Sequence, residues 1–274
     1  MKIYSYDSSK LNLILLFSFL LVLNSSVISQ VDSLKHVPFY YEVFEDGKAL
    51  ATQPLRWEAK DWLTLGGVTA GTYLAYSFTD EDIHQYFKER PELKEKTLFK
   101  ISKMYGEPLI SGLVAGGLYI YSIGYKDDEA GLIAFEILES FGFSLALNIG
   151  IKTFIGRSRP YKNNGDHEFD FFNIGYGTTS FPSGHSTVAF SLSTVLAAHT
   201  DNYLYKALLF TPAFFTATQR MVQDQHWSSD VFAGAAIGFF VGNYLVNSHR
   251  QNEYFPFLFA SDGEKFNLIY YYKF

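Results

Sequence analysis

The chain of 274 residues contains no cysteine. That absence excludes disulfides, a thiol nucleophile, a cysteine-ligated zinc site and an N-terminal lipidation signal of the cysteine type. It also lacks a basic excess, since 22 Lys and Arg against 28 Asp and Glu give a formal net charge of -6. With no basic stripe standing out along the chain, nucleic acid is not an expected partner. No internal repeat is visible. What the chain has in quantity is apolar surface: 48% hydrophobic residues, with 27 Phe and 20 Tyr, enough for a sizeable core in one large domain or two small ones.

The N-terminus reads as an export signal. Lys2 and Lys10 precede the apolar run 11–23, and Val27-Ile28-Ser29 supplies a cleavage point before Gln30. The run, about 13 residues long, is short for a membrane span. A cleaved signal over 1–29 is therefore expected, with an uncleaved anchor as the alternative. A polar segment over 30–61 follows.

Six apolar segments come next: 62–78, 109–125, 131–151, 186–198, 203–218 and 231–247. They lack strand alternation, exceed the usual strand length and are rich in Ala, Leu and Gly, which predicts helices. The expected fold is all-α, a six-helix bundle over 62–247. The charged connection beginning at Asp80-Glu81-Asp82 could accommodate a short amphipathic helix. In the tail, 248–274, two aromatic runs flank Asp262-Gly263, the pattern of a β-hairpin.

Three clusters in the second half carry the chemistry: Lys152 with Arg159-Pro160, then Pro182-Ser183-Gly184-His185, then Arg220 with His226 and Asp230. Phosphoryl transfer relies on positioning and on neutralising the equatorial oxygens, which suits Lys152, Arg159 and Arg220. Of the two histidines, one can attack phosphorus while the other protonates the leaving oxygen. His226 and Asp230 stand at i and i+4, so on a helix the carboxylate would hold the ring's Nδ1–H and leave Nε2 free. His185 follows a glycine at the expected start of a helix, where unpaired backbone N–H groups favour an anion. Antiparallel packing of the predicted helices brings all four motif-bearing helix ends to the same end of the bundle.

Lys-x6-Arg-Pro, Pro-Ser-Gly-His and Arg-x5-His-x3-Asp, in that order, resemble the signature of the type 2 phosphatidic acid phosphatase (PAP2) superfamily, which also contains bacterial acid phosphatases and vanadium haloperoxidases. The resemblance implies that His226 is the nucleophile that becomes phosphohistidine, that Asp230 orients it and that His185 is the general acid and later the base. It implies that Lys152, Arg159, Ser183, Gly184 and Arg220 bind phosphate. Gln219 departs from the serine usual before the third-motif arginine. Arg157, two residues from Arg159, is a lesser candidate for substrate contact. His36, His84, His167, His199 and His249 match no motif and are read as structural or solvated.

The expected function is an exported phosphatase for a phosphomonoester or pyrophosphate, more readily lipid-linked than soluble. No metal or other cofactor is expected, because no Asp, Glu and His cluster in the sequence resembles a two-metal site. The alternatives are a vanadate-dependent haloperoxidase and a non-specific periplasmic acid phosphatase. Two placements stay open. Short helices, Glu136 and Glu139 inside the third, and a mean hydropathy of +0.01 lean toward an exported, periplasmic globule, free or lying on the membrane. Phe- and Gly-rich helices such as 231–247 suit a bilayer.

Overall fold

Each of the six apolar segments is a helix, and each begins or ends where its local chemistry dictates. The computed structural model describes residues 39–173, 175, 178–251, 255–261 and 266–271. The expected export signal at 1–29, His36 and the Asp262-Gly263 turn lie outside the described residues. Among the described residues there are nine α-helices: α1 Phe39–Thr52, α2 Ala59–Phe78, α3 Asp80–Lys88, α4 Thr97–Tyr105, α5 Pro108–Tyr125, α6 Asp128–Ile155, α7 Gly184–Ala198, α8 Tyr203–Val222 and α9 Ser228–Gln251. The predicted six correspond to α2 and α5–α9.

The helix ends follow capping rules. Glu58 and Asp61 form a reciprocal capping box at the start of α2. Pro108 opens α5. Asp127 accepts from the Ala130 N–H at the start of α6, and Asn202 accepts from Leu204 and Tyr205 at the start of α8. At the end of α6, Gly156 adopts φ +59°. A Cβ there would fall 1.7 Å from the Asp170 carbonyl oxygen, so only glycine lets the chain leave α6 and double back.

The polar segment expected over 30–61 instead contains α1. Its pattern misleads because the inward face is acidic: Glu42 and Asp46, one turn apart, are both buried. The charged connection after α2 holds two helices, α3 and α4, and Asp80 and His84 of α3 are buried.

Helices α6, α7 and α9 pack around Ile137, Leu192, Val195 and Val246. The α7–α9 contact is unusually close, for a Cβ on Gly238 would lie 2.2 Å from the Thr187 carbonyl oxygen and one on Gly234 2.4 Å from that of Ser183. This backbone-on-backbone approach locks the two motif-bearing helices in register.

The outer faces are apolar as well. Leu113, Ile120, Leu147, Phe214, Phe232 and Phe240 are all exposed. Three helices are long and apolar enough to cross a membrane by length and composition: 108–125, 128–155 and 228–250. Beyond α9, strands β1 Phe255–Ser261 and β2 Phe266–Tyr271 pair antiparallel.

Candidate active site

Four helix ends meet at one site. Lys152 lies in the last turn of α6, Ser183 caps α7, Arg220 lies in the last turn of α8 and Asp230 in the first turn of α9. Arg159 arrives from the segment after Gly156, and His226 from the turn between α8 and α9.

The His226 ring is the focus. Nδ1 lies 2.8 Å from the Ser180 carbonyl oxygen. A carbonyl can only accept, so Nδ1 carries the proton and Nε2 presents its lone pair. Burial, then the positive charges of Arg159, Arg220 and Lys152, push the imidazole well below the usual histidine range. The ring is a neutral base, the form a nucleophile requires.

This arrangement corrects the expected role of Asp230. His226 precedes α9 rather than stacking on it, and the Asp230 carboxylate stays 3.7 Å from Nδ1. Its oxygens are taken elsewhere. Oδ2 accepts from the Trp227 backbone N–H at 2.9 Å and from the Ser180 hydroxyl, and Oδ1 accepts from Arg157 at 2.8 Å. Asp230 therefore acts on His226 only indirectly, by fixing the chain on both sides of the ring and the residue whose carbonyl holds it.

The residues expected to bind phosphate lie together. Lys152 donates to the carbonyls of Thr179 and Pro182, each at 2.7 Å. Arg159 donates to Gln225 Oε1 at 2.8 Å. Arg220 is buried, and its Nε has no hydrogen-bond partner among the described residues. No carboxylate lies within ion-pair reach of Lys152 or Arg220 among those residues, so this end of the pocket holds positive charge in want of an anion. Ser183 is buried, and its Oγ lies 3.0 Å from the Ser186 hydroxyl. Gly184 leaves the α7 N-terminus open, where a Cβ would meet nothing nearer than Asn148 Oδ1 at 3.7 Å. Gln219 is buried, with its amide oxygen unpartnered among the described residues.

Sequence reasoning missed two participants, Glu107 and Ser180, and misjudged the place of a third, Arg157. Glu107, at the N-cap of α5, lies 3.2 Å from His185 Nε2. Its carboxyl is held at about 2, mainly by the hydrogen bond with His185 and further by Lys103. His185 itself falls to about 4 because burial outweighs the Glu107 contact. Ser180 supplies the carbonyl for His226. Arg157 is not a substrate contact but a buried strut: Nη2 meets Asp80 and Nη1 meets Asp230, each at 2.8 Å. Asp80 also accepts from the Ser229 N–H at 2.8 Å, tying α3 to the start of α9.

Of the unassigned histidines, His84 faces Asp224. His199 and His249 lie far along α7 and α9 from the pocket, against Glu136.

Residues 133–254 match the PAP2 superfamily. A stretch of 130 residues is 32% identical to a lipid A 1-phosphatase from Porphyromonas gingivalis, covering 46% of this chain and 26% of that protein. The chain thus spans about a quarter of the length of the curated relative it matches. Among solved structures, Aquifex aeolicus LpxE is similar at 24% identity with a TM-score of 0.47, covering 61% of this chain and 94% of its own. A transmembrane PAP2 type phosphatidylglycerolphosphate phosphatase from Bacillus subtilis is similar at 20% identity with a TM-score of 0.37, covering 77% and 94%.

Proposed function

We propose that this chain, whose residues 133–254 match the PAP2 superfamily, is a membrane-associated phosphatase of that kind. It hydrolyses a lipid-linked phosphomonoester or pyrophosphate through a phosphohistidine on His226, with no metal in the chemical step. The observation that carries the reading is the buried Arg220, whose Nε has no hydrogen-bond partner among the described residues, beside a neutral His226.

Nε2 of His226 attacks phosphorus, and the bond to the leaving oxygen breaks as that oxygen takes a proton from His185. The ring, phosphorylated on Nε2, keeps its Nδ1–H on the Ser180 carbonyl, which disperses the charge it gains. In the second step, water gives its proton to His185 and its oxygen attacks phosphorus. The phosphorus–nitrogen bond breaks, and inorganic phosphate and free His226 result. Lys152, Arg159 and Arg220 neutralise the equatorial oxygens throughout, the effect expected to contribute most to rate.

A lipid-linked substrate is supported by the apolar outer faces and by Phe171 and Phe172, exposed in the connection between α6 and α7. Aromatic rings at this level suit a membrane interface. The three long apolar helices support residence in the bilayer rather than on it. Export by the N-terminal signal is part of the same proposal.

The test is to quench turnover of labelled phosphatidate, isoprenyl pyrophosphate, lipid A and p-nitrophenyl phosphate in the presence of EDTA. Acid-labile, alkali-stable phosphate on His226 and no turnover by His226→Ala are expected. Label on another residue, or activity that vanishes in EDTA and returns with magnesium, would overturn it.

A further inference from the structure

At the end of the bundle away from the phosphate pocket, three helices bring Asp46 of α1, Glu139 of α6 and His249 of α9 together in the protein interior. One ligand atom from each lies within 4.8 Å of the others. His249 Nε2 is 3.2 Å from Asp46 Oδ2 and 3.2 Å from Glu139 Oε2. A single ring nitrogen thus faces two carboxylates at once. If it carried a proton, one N–H could be directed well at only one of them.

The other ring nitrogen has its own partner. Nδ1 lies 3.2 Å from Glu136 Oε1, and Glu136 Oε2 is 2.6 Å from His199 Nε2. With Nδ1–H directed at Glu136, a metal ion can take the place of the Nε2 proton between Asp46 and Glu139, the outer-shell arrangement of histidine metal ligands. Glu139 supplies the independent sign. It is only 3% exposed, and neither of its carboxyl oxygens accepts a well-directed hydrogen bond among the described residues. Leaving a carboxylate buried in that way is costly unless a cation meets it.

We infer that Asp46, Glu139 and His249 form a structural site for a divalent transition-metal ion such as zinc, separate from the phosphatase centre, that pins α1 to α6 and α9. One imidazole and two carboxylates suit a borderline ion of this class and leave room for a water as a further ligand. Glu136 acts as the outer-shell carboxylate. The ion does not enter the phosphoryl-transfer steps, so it is compatible with a metal-free reaction.

The experiment uses the full chain in detergent, stripped with a chelator and titrated with Zn2+ by calorimetry, with thermal denaturation followed in parallel. About one Zn2+ per chain and a raised Tm are expected, with the initial rate on p-nitrophenyl phosphate unchanged by stripping. His249→Gln and Glu139→Gln should abolish both the binding and the Tm shift. Glu136→Gln should weaken binding by about 10- to 100-fold, the usual effect of an outer-shell partner. No Zn2+ bound by the wild-type chain overturns the proposal even if the variants do not fold. So does a Tm shift of equal size in wild type and Glu139→Gln. Either result would make the cluster a histidine shared between carboxylates.

Discussion

Arg157 Nη1 stands 2.8 Å from Asp230 Oδ1, and the same guanidinium reaches Asp80 with its other arm. All three residues are buried, and the charges sit directly behind the turn that carries His226. The strut therefore links the stability of the fold to the position of the His226 ring. Removing the arginine leaves two carboxylates buried and uncompensated.

Arg157→Met should destabilise the protein by about 3–5 kcal/mol, the range for breaking a buried pair. Turnover should fall with little change in KM, because Arg157 touches no substrate. Arg157→Lys keeps the charge but offers no fork to span Asp80 and Asp230, so it should recover part of the stability and less of the rate. Thermal denaturation alongside kcat and KM checks this, and a large rise in KM would place Arg157 in the phosphate site instead.

The candidate site residues were legible because each motif is a few adjacent residues whose chemistry shows in one dimension. The six apolar helices were legible because their runs are long and lack alternation. What escaped has a common cause. Arg157 finds Asp80 across 77 residues and His185 finds Glu107 across 78, and nothing local to either residue signals its partner. Helix α1 escaped for a different reason, since Glu42 and Asp46 bury an acidic face where an amphipathic pattern would show apolar residues. The i,i+4 spacing of His226 and Asp230 suggested a direct contact, but α9 begins only at Ser228, and the Trp227 N–H, Ser180 and Arg157 claim the carboxylate first.

The close approach of α7 and α9 gives a second expectation. In Gly238→Ala the new methyl would press on the Thr187 carbonyl oxygen and on the Ser191 nitrogen, at 2.2 and 2.7 Å. Backbone atoms cannot step aside as a side chain can, so the helices must separate. About 1–3 kcal/mol of stability should be lost, as for overpacked cores, and turnover should drop because α7 carries His185 and α9 carries Asp230. Gly112→Ala, with nothing within 4 Å of its Cβ, is the matched control and should leave both unchanged. Melting curves and rates on p-nitrophenyl phosphate compare the two.

The Glu107 carboxylate, 3.2 Å from His185 Nε2, favours a proton on that ring. A general acid works while protonated, so activity falls as pH rises through its pKa. The adjacent carboxylate raises that pKa against the effect of burial, and burial prevails, leaving His185 at about 4. Glu107→Gln removes the charge and should move the alkaline limb of the pH–rate profile to lower pH by about one unit, the low end for a neighbouring opposite charge. The acid limb, set by His226, should not move. A shift of the acid limb instead would mean that Glu107 acts on the nucleophile.

His185 and Asp230 should fail in different ways. His185→Asn keeps a polar group at the N-terminus of α7, so phosphate binding should survive, but the leaving oxygen of an alkyl phosphate then departs without a proton. p-Nitrophenolate needs that proton far less, and its rate should suffer less by about ten- to a hundredfold, within the range of general acid catalysis. Asp230→Asn offers no such discrimination. It weakens the hold on the Trp227 N–H, on Ser180 and on Arg157 together, so His226 loses its aim whatever the leaving group. Both substrates should then slow by the same factor. Measuring kcat for an alkyl and a nitrophenyl phosphate with each variant decides the matter: equal losses in His185→Asn would show that His185 is not the acid, and unequal losses in Asp230→Asn would show that Asp230 does more than position the nucleophile.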